Sequence, residues 1–123
     1  MSNEFKLIVA GGRDFNDYPL LVKEISNLQQ TETLISRNVS IVSGMAKGAD
    51  ALGVRFAKNY DWKLYSYPAD WDEYGKSAGF VRNKQMGQFA DGLIAFWDGK
   101  SRGTAHMIQY IRSLRKPLHI IRY

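Results

Sequence analysis

Apolar residues recur along the chain in two alternating rhythms. Short runs at 6–10 (KLIVA), 40–43 (SIVS), 63–67 (KLYSY), 93–97 (LIAFW) and 118–122 (LHIIR) have the length and β-branched or aromatic content of strands. Between them apolar positions fall at helical spacing. Leu21, Ile25 and Leu28 share one face of 18–30, and Ala49, Leu52, Phe56 and Tyr60 form a second stripe. A third helix is expected over 80–90. A fourth over 104–115 carries Ala105, Ile108, Ile111 and Leu114 inward and is stopped by Lys116-Pro117. Strands separated by helices of this length predict βαβ units, and so an α/β fold with a mostly parallel five-stranded sheet and helices on both faces. No repeat or linker interrupts the pattern, which predicts one domain over residues 1–123. The least regular stretch, 68–79, is rich in Asp, Tyr, Trp and Gly and is expected to be a functional or mobile loop.

Right-handed crossovers bring the carboxyl ends of parallel strands to one edge of the sheet, where ligands of open α/β sheets bind. Four segments must meet there: Gly11-Gly12-Arg13, 43–50, 68–79 and 98–104. The glycine-dense junctions all lie in this set. The opposite, helix-to-strand connections contain only Gly92, so glycine is placed for more than turning. Gly11-Gly12 lets the backbone approach an anion, and Arg13 can bind phosphate or pair with Asp14 or Asp17. Ser43-Gly44 and Lys47-Gly48-Ala49-Asp50 supply a hydroxyl, flexible backbone and a helix start. Asp50 is there either a cap or an acceptor for ribose hydroxyls or a base. Arg82 shares its helix face with Met86 and Phe89, which puts a guanidinium on an apolar stripe and demands a partner. That partner is either a ligand in the crevice or an acid such as Asp70 or Asp72, and Asn83 sits beside it. Asp98-Gly99-Lys100-Ser101-Arg102-Gly103-Thr104 leads from a strand into a helix N-terminus with the donors and cations a phosphate needs. Trp71 and Trp97 flank this edge and can stack on a base, and Tyr74 with Trp71 can close over it.

Charge narrows the choice of partner. The chain carries 17 Lys and Arg against 12 Asp and Glu, net +5, which by itself suggests nucleic acid. However, the four loops to which these segments belong, the first running on to Asp17, together with Arg82 hold six cations (Arg13, Lys47, Lys76, Arg82, Lys100, Arg102) and seven acids (Asp14, Asp17, Asp50, Asp70, Asp72, Glu73, Asp98). A groove for a polyanion is not lined this way, whereas a small ligand with phosphate, hydroxyls and a base uses both signs. Nucleic acid is therefore expected to make only weak contact with the outer basic surface. The absence of cysteine excludes a disulfide scaffold and a thiolate metal site. His106 and His119 have no companions at metal-ligand spacing, so no metal and no cofactor is expected. The apolar run at 7–10 is too short for a signal peptide or a membrane span, so a cytoplasmic protein without membrane contact is expected. A homo-oligomer is compatible with all of this.

Gly11-Gly12-Arg13 after the first strand, Ser43-Gly44 with Lys47–Asp50, Arg82-Asn83 with Met86, and 98–104 together resemble the YspA, cpYpsA-related branch of the SLOG superfamily. The resemblance runs in order along nearly the whole chain. It implies a Rossmann-like fold and a nucleotide or nucleotide-derived ligand, a ribose phosphate with base or an ADP-ribose-like molecule, at these segments. It further implies a sensor or sequestering protein, as proposed for phage and bacterial conflict or defence systems. The LOG phosphoribohydrolases of the superfamily end a P-G-G-x-G-T-x-x-E pattern on a catalytic glutamate. Here Gly103-Thr104 match, but 98–101 read Asp-Gly-Lys-Ser and the glutamate position is Met107, so hydrolysis would need Asp98 or Asp50 instead. The segment 43–50 also resembles the Ser-Gly-x-Ala-x-Gly-x-Asp stretch of DprA, which implies single-stranded DNA binding as a further alternative. Arg82→Ala is expected to weaken ligand binding more than Lys116→Ala.

Overall fold

The computed structural model describes residues 3–123. Along the chain run β1 (Glu4–Gly11), α1 (Tyr18–Gln29), β2 (Asn38–Ser43), α2 (Ala49–Asn59), β3 (Leu64–Ser66), α3 (Trp71–Tyr74), α4 (Ala78–Phe89), β4 (Gly92–Trp97), α5 (Arg102–Ser113) and β5 (Leu118–Arg122). The five strands form one sheet in the order β3-β2-β1-β4-β5. Every pairing is parallel, so the sheet is all parallel rather than mostly so. The fold is α/β and Rossmann-like.

The period-two alternation of β1 divides the core. Phe5, Leu7 and Val9 point to one face and pack with Leu21, Ile25 and Leu28 of α1 and Phe56 of α2. Ile8 and Ala10 point to the other and pack with Met86 of α4 and Met107, Ile108 and Ile111 of α5. Each fully buried Leu or Ile contributes about 1.5–3 kcal/mol relative to exposure, which makes this two-sided burial the main force holding the layers together. The chain steps outward from β1 to β2 and β3, then returns to β4 and β5 on the other side. The order therefore reverses between β1 and β4, and a crevice opens at their carboxyl ends.

The stretch 68–79 is more ordered than the expected loop. Asp70 Oδ1 accepts from the Glu73 amide at 3.1 Å and starts α3, and a single 3-10 turn over Gly75–Ser77 leads into α4. Asp70-Trp71-Asp72-Glu73 has the spacing of a helix-start box, so the signal for this turn was present in the sequence. No helix among the described residues is long and apolar enough to cross a membrane.

Candidate ligand-binding site

A cavity of about 480 Å³ lies in the crevice. All four segments line it: Ala10–Asp14 from the end of β1, Ala46 and Asp50 from the β2–α2 connection, Trp71 and Lys76 ahead of α4, and Asp98, Ser101, Gly103 and Thr104 before and within α5. Gly79, Phe80, Arg82, Asn83 and Met86 of α4 close another side, with Met107 of α5.

Arg82 is the hub of this arrangement. Its Nη1 donates to the Gly44 carbonyl, and its Nε donates to Asn83 Oδ1 at 3.1 Å. Asn83 in turn donates from Nδ2 to the Gly103 carbonyl at 3.1 Å and faces His106 Nδ1 at 3.3 Å. The path ties the β2–α2 connection to the start of α5 through one arginine and one asparagine. Among the described residues neither Asp70 nor Asp72 pairs with Arg82; Asp70 caps α3 instead. Burial pulls the Arg82 guanidinium down, and the Asp50 carboxylate opposes that shift.

Asp50 is 5% exposed. It does not cap α2, whose first flanking residue is Gly48 with no side-chain cap bond. Its Oδ2 instead accepts from the Ala46 amide at 3.3 Å, folding the connection over the carboxylate. Burial pushes Asp50 up to about 6, against the pull of the Ala46 amide, Arg82 and Arg13. Two glycines are required by this packing. A Cβ at Gly44 would sit 2.6 Å from Arg82 Nη1 and 2.8 Å from Asp50 Oδ2. Gly48 has φ +78° and faces the Gly12 carbonyl, which accepts from the Ala49 amide at 3.2 Å.

On the far wall Asp98 Oδ1 accepts from the amides of Lys100 and Ser101, both at 2.8 Å. Those two bonds hold its carboxyl below the usual range. Ser101 starts α5 by accepting from the Thr104 amide at 3.5 Å, and its carbonyl accepts from Trp97 Nε1 at 3.1 Å. The amides of Arg102 and Gly103 precede the helical ladder and carry the positive end of the α5 dipole.

The residues singled out from the sequence divide into two sets. Gly11, Gly12, Arg13, Asp50, Trp71, Arg82, Asn83, Asp98, Ser101, Gly103 and Thr104 line the cavity. Ser43, Gly44 and Gly48 stand behind the lining, with Ser43 Oγ donating to the Asp50 carbonyl at 3.2 Å. Lys47, Lys100 and Arg102 are exposed outside it, and Gly99 lies beside Arg122. Asp70 and Tyr74 line a neighbouring cavity of about 230 Å³ that shares Arg82. Trp97 is committed to Ser101 and to the core under α5 rather than to the cavity. Asp17 caps α1, and Asp14 accepts from the Tyr123 hydroxyl. Sequence reasoning missed Phe80 as a lining residue, although an aromatic two positions before Arg82 was in view. It also missed the end of β5, which reaches the same edge as the four segments. No group of three or more His, Asp or Glu among the described residues is placed to hold a metal.

The model of the YspA, cpYpsA-related SLOG family matches residues 5–74, more than half of the chain. The chain belongs to that family. The match runs from β1 through α3 and includes Gly11–Arg13 and Ser43–Asp50. Arg82-Asn83 and 98–104 lie beyond it, so it is narrower than the span the motifs suggested. Gene 61 protein of Mycobacterium phage D29 is 36% identical over 75 residues. That alignment covers 56% of this SLOG chain and 60% of the phage protein, so the chain spans about three fifths of that relative's length. No solved structure matches the chain.

Proposed function

We propose that this SLOG protein binds a nucleotide or nucleotide-derived ligand in the cavity between β1 and β4, as a sensor or sequestering protein, with a phage–host conflict as its setting. One observation carries the reading: the cavity combines anion donors, hydroxyl acceptors and solvent-exposed aromatic surface in a single charge-balanced lining. The cations are Arg13, Lys76 and Arg82; the acids are Asp14, Asp50 and Asp98, three of each. The α5 N-terminus with Arg13 and Lys76 suits a phosphate. Asp98 has a second carboxylate oxygen to offer to a ribose diol. Trp71 and Phe80 are 53% and 46% exposed, among the large apolar side chains left open to solvent, and both face the cavity beside Met86 and Met107. An aromatic base covers that surface. Equal numbers of cations and acids favour one phosphate over three, because each added phosphate meets another carboxylate.

Thermal-shift measurements with AMP, cyclic mononucleotides, ADP-ribose and ATP test the reading. Ligand at about 100 times its Kd adds about 2.7 kcal/mol of stability, a readily measured rise in melting temperature. Failure of every nucleotide class to move the transition contradicts it.

A second reading, hydrolysis of the N-glycosidic bond of a nucleoside monophosphate, is favoured by one observation: Asp50 is a buried cavity carboxyl held near 6, a value suited to proton transfer at neutral pH. Met107, 1% exposed, stands where LOG enzymes have their glutamate and offers no such chemistry. Chromatographic detection of free base from AMP, lost in Asp50→Asn, would promote catalysis over simple binding. Unchanged AMP after prolonged incubation removes it.

A further inference from the structure

The carboxyl end of β5 reaches the same edge of the sheet as the cavity, and Arg122 at its end and Tyr123 just after it each hold one cavity wall. We propose that Tyr123 and Arg122 are positioning residues that fix the Gly11–Asp14 segment against the Asp98–Ser101 turn, and so set the width of the nucleotide site. The proposal rests on the nucleotide reading above for its consequence, though not for its geometry.

The Tyr123 amide donates to the Trp97 carbonyl at 3.3 Å, which registers the end of β5 on the end of β4. Its ring packs on Phe15 at 4.9 Å between centroids, and Phe15 stacks on Phe96 of β4 at 4.7 Å. From that platform the hydroxyl donates to Asp14 Oδ1 at 2.5 Å, across 109 positions of sequence. The same hydroxyl fills the space that a side chain at residue 12 would need, so Gly12 is held from outside while its inner side lines the cavity. Burial and the Asp14 carboxylate push the Tyr123 phenol well above its usual range, and it stays a donor throughout the working pH range.

Arg122 acts on the other wall. Its guanidinium lies 5.4 Å over the Trp97 ring and occupies the space beside Gly99. Trp97 carries the contact onward by donating to the Ser101 carbonyl at 3.1 Å. Ser101 and Asp98, the two ends of that turn, line the cavity opposite Gly12 and Arg13. Neither Arg122 nor Tyr123 lines the cavity itself, so their effect on a ligand passes through the walls they hold.

A purely structural role would change the melting temperature and nothing specific to the cavity. Amide hydrogen exchange of the protein without ligand separates the two. In Tyr123→Phe, which removes one oxygen and keeps the ring, exchange at Gly12 and Phe15 is expected to quicken about tenfold. In Arg122→Gln the same is expected at Lys100 and Ser101. The central amides of β1 and β4 should keep their protection in both variants. AMP affinity by calorimetry should fall about fivefold to tenfold in each, while Tyr18→Phe, whose hydroxyl accepts from Asn59 outside the cavity lining, binds as the unaltered protein does. Unchanged exchange at the four amides, or a rise spread over the whole sheet, overturns the proposal. Quickened exchange with undiminished AMP affinity overturns it as well. Quickened exchange in a protein that binds no nucleotide supports the clamp and sinks the nucleotide reading instead.

Discussion

The two edges of the sheet carry cavities of similar size and opposite character. At the amino ends of the strands a cavity of about 440 Å³ is lined by Asn3, Glu4, Arg37, Ser40 and Lys63, among others. Four of its polar side chains, Asn3, Glu4, Arg37 and Ser40, are spent on the fold. Glu4 Oε2 accepts from Ser40 Oγ at 2.6 Å and Tyr65 Oη at 2.9 Å, joining three adjacent strands. Arg37 donates to the carbonyls of Asn3 and Glu4, and the Lys6 amide donates to Asp91. At the carboxyl ends the cavity of about 480 Å³ keeps exposed aromatic surface, exposed Arg13 and Lys76, and a buried carboxyl near 6. Volume alone does not mark a site. What marks it is cationic and aromatic surface left open to solvent, at Arg13, Lys76, Trp71 and Phe80.

Variants at the two edges should therefore behave differently, and the largest difference is expected at Arg82. Arg82→Ala removes the donor to Gly44, the link through Asn83 and the positive neighbour of a buried carboxylate. A loss of about 2–4 kcal/mol of stability and near-complete loss of AMP binding are expected by denaturant titration and calorimetry. Arg37→Ala at the other edge should cost about 1 kcal/mol and leave binding intact. Equal loss of affinity in both would break the comparison. Lys116→Ala is a poor neutral reference, because Lys116 Nζ donates to the carbonyls of Gly87 and Ala90, both at 2.7 Å, and closes the end of α4.

Gly48→Ala comes next. It places a side chain at φ +78° against the backbone of the first loop, and a loss of roughly 1–3 kcal/mol is expected in denaturant unfolding. A variant as stable as the parent would show that the two loops are not docked as described.

Asp50 sharpens the contrast through pH. Its folded value of about 6 lies above the ordinary 3.8, so the fold favours the protonated form. Its contribution to stability is full below about pH 4 and is lost as pH rises through 6. Asp50→Asn should therefore stabilise the protein at pH 7.5, by on the order of 1–3 kcal/mol, and gain nothing at pH 4. Glu4 at the other edge has the opposite sign: its bonds from Ser40 and Tyr65 lower its folded value below 4.5. That contribution is present above the ordinary value and is lost as pH falls through the lowered one. Thermal melts of Asp50→Asn and Glu4→Gln, carried from pH 8 down to about pH 3 so as to cross both transitions, should diverge in opposite directions; parallel curves contradict the assignment. The smallest expected effect is on ligand charge, with AMP binding a fewfold more tightly than ATP at physiological salt.

Much of this was legible in the sequence, for identifiable reasons. Strands such as LIAFW and the inward stripe of Ile108 and Ile111 declare themselves through periodicity, and parallel topology then dictates which loops share an edge. The glycine-dense junctions at that edge and their near-balanced charges pointed to the cavity. What stayed hidden depends on contacts between distant positions. Tyr123 meets Asp14 only because β5 lies beside β4, and Arg82 finds the Gly44 carbonyl 38 positions away. Asp50 reads in sequence as a cap or as an acceptor for a ligand, and its burial shows only where the turn at Ala46 closes over it.

The central claim is that the carboxyl edge, and not the equally roomy amino edge, takes the nucleotide. Titration of isotope-labelled protein with AMP, followed by amide chemical shifts, tests it most directly. The expected result is saturable shifts at Gly12, Gly44, Arg82, Ser101 and Gly103, with Glu4, Ser40 and Lys63 still. Shifts centred on the amino edge, or none at millimolar AMP and at equal ADP-ribose, would contradict it.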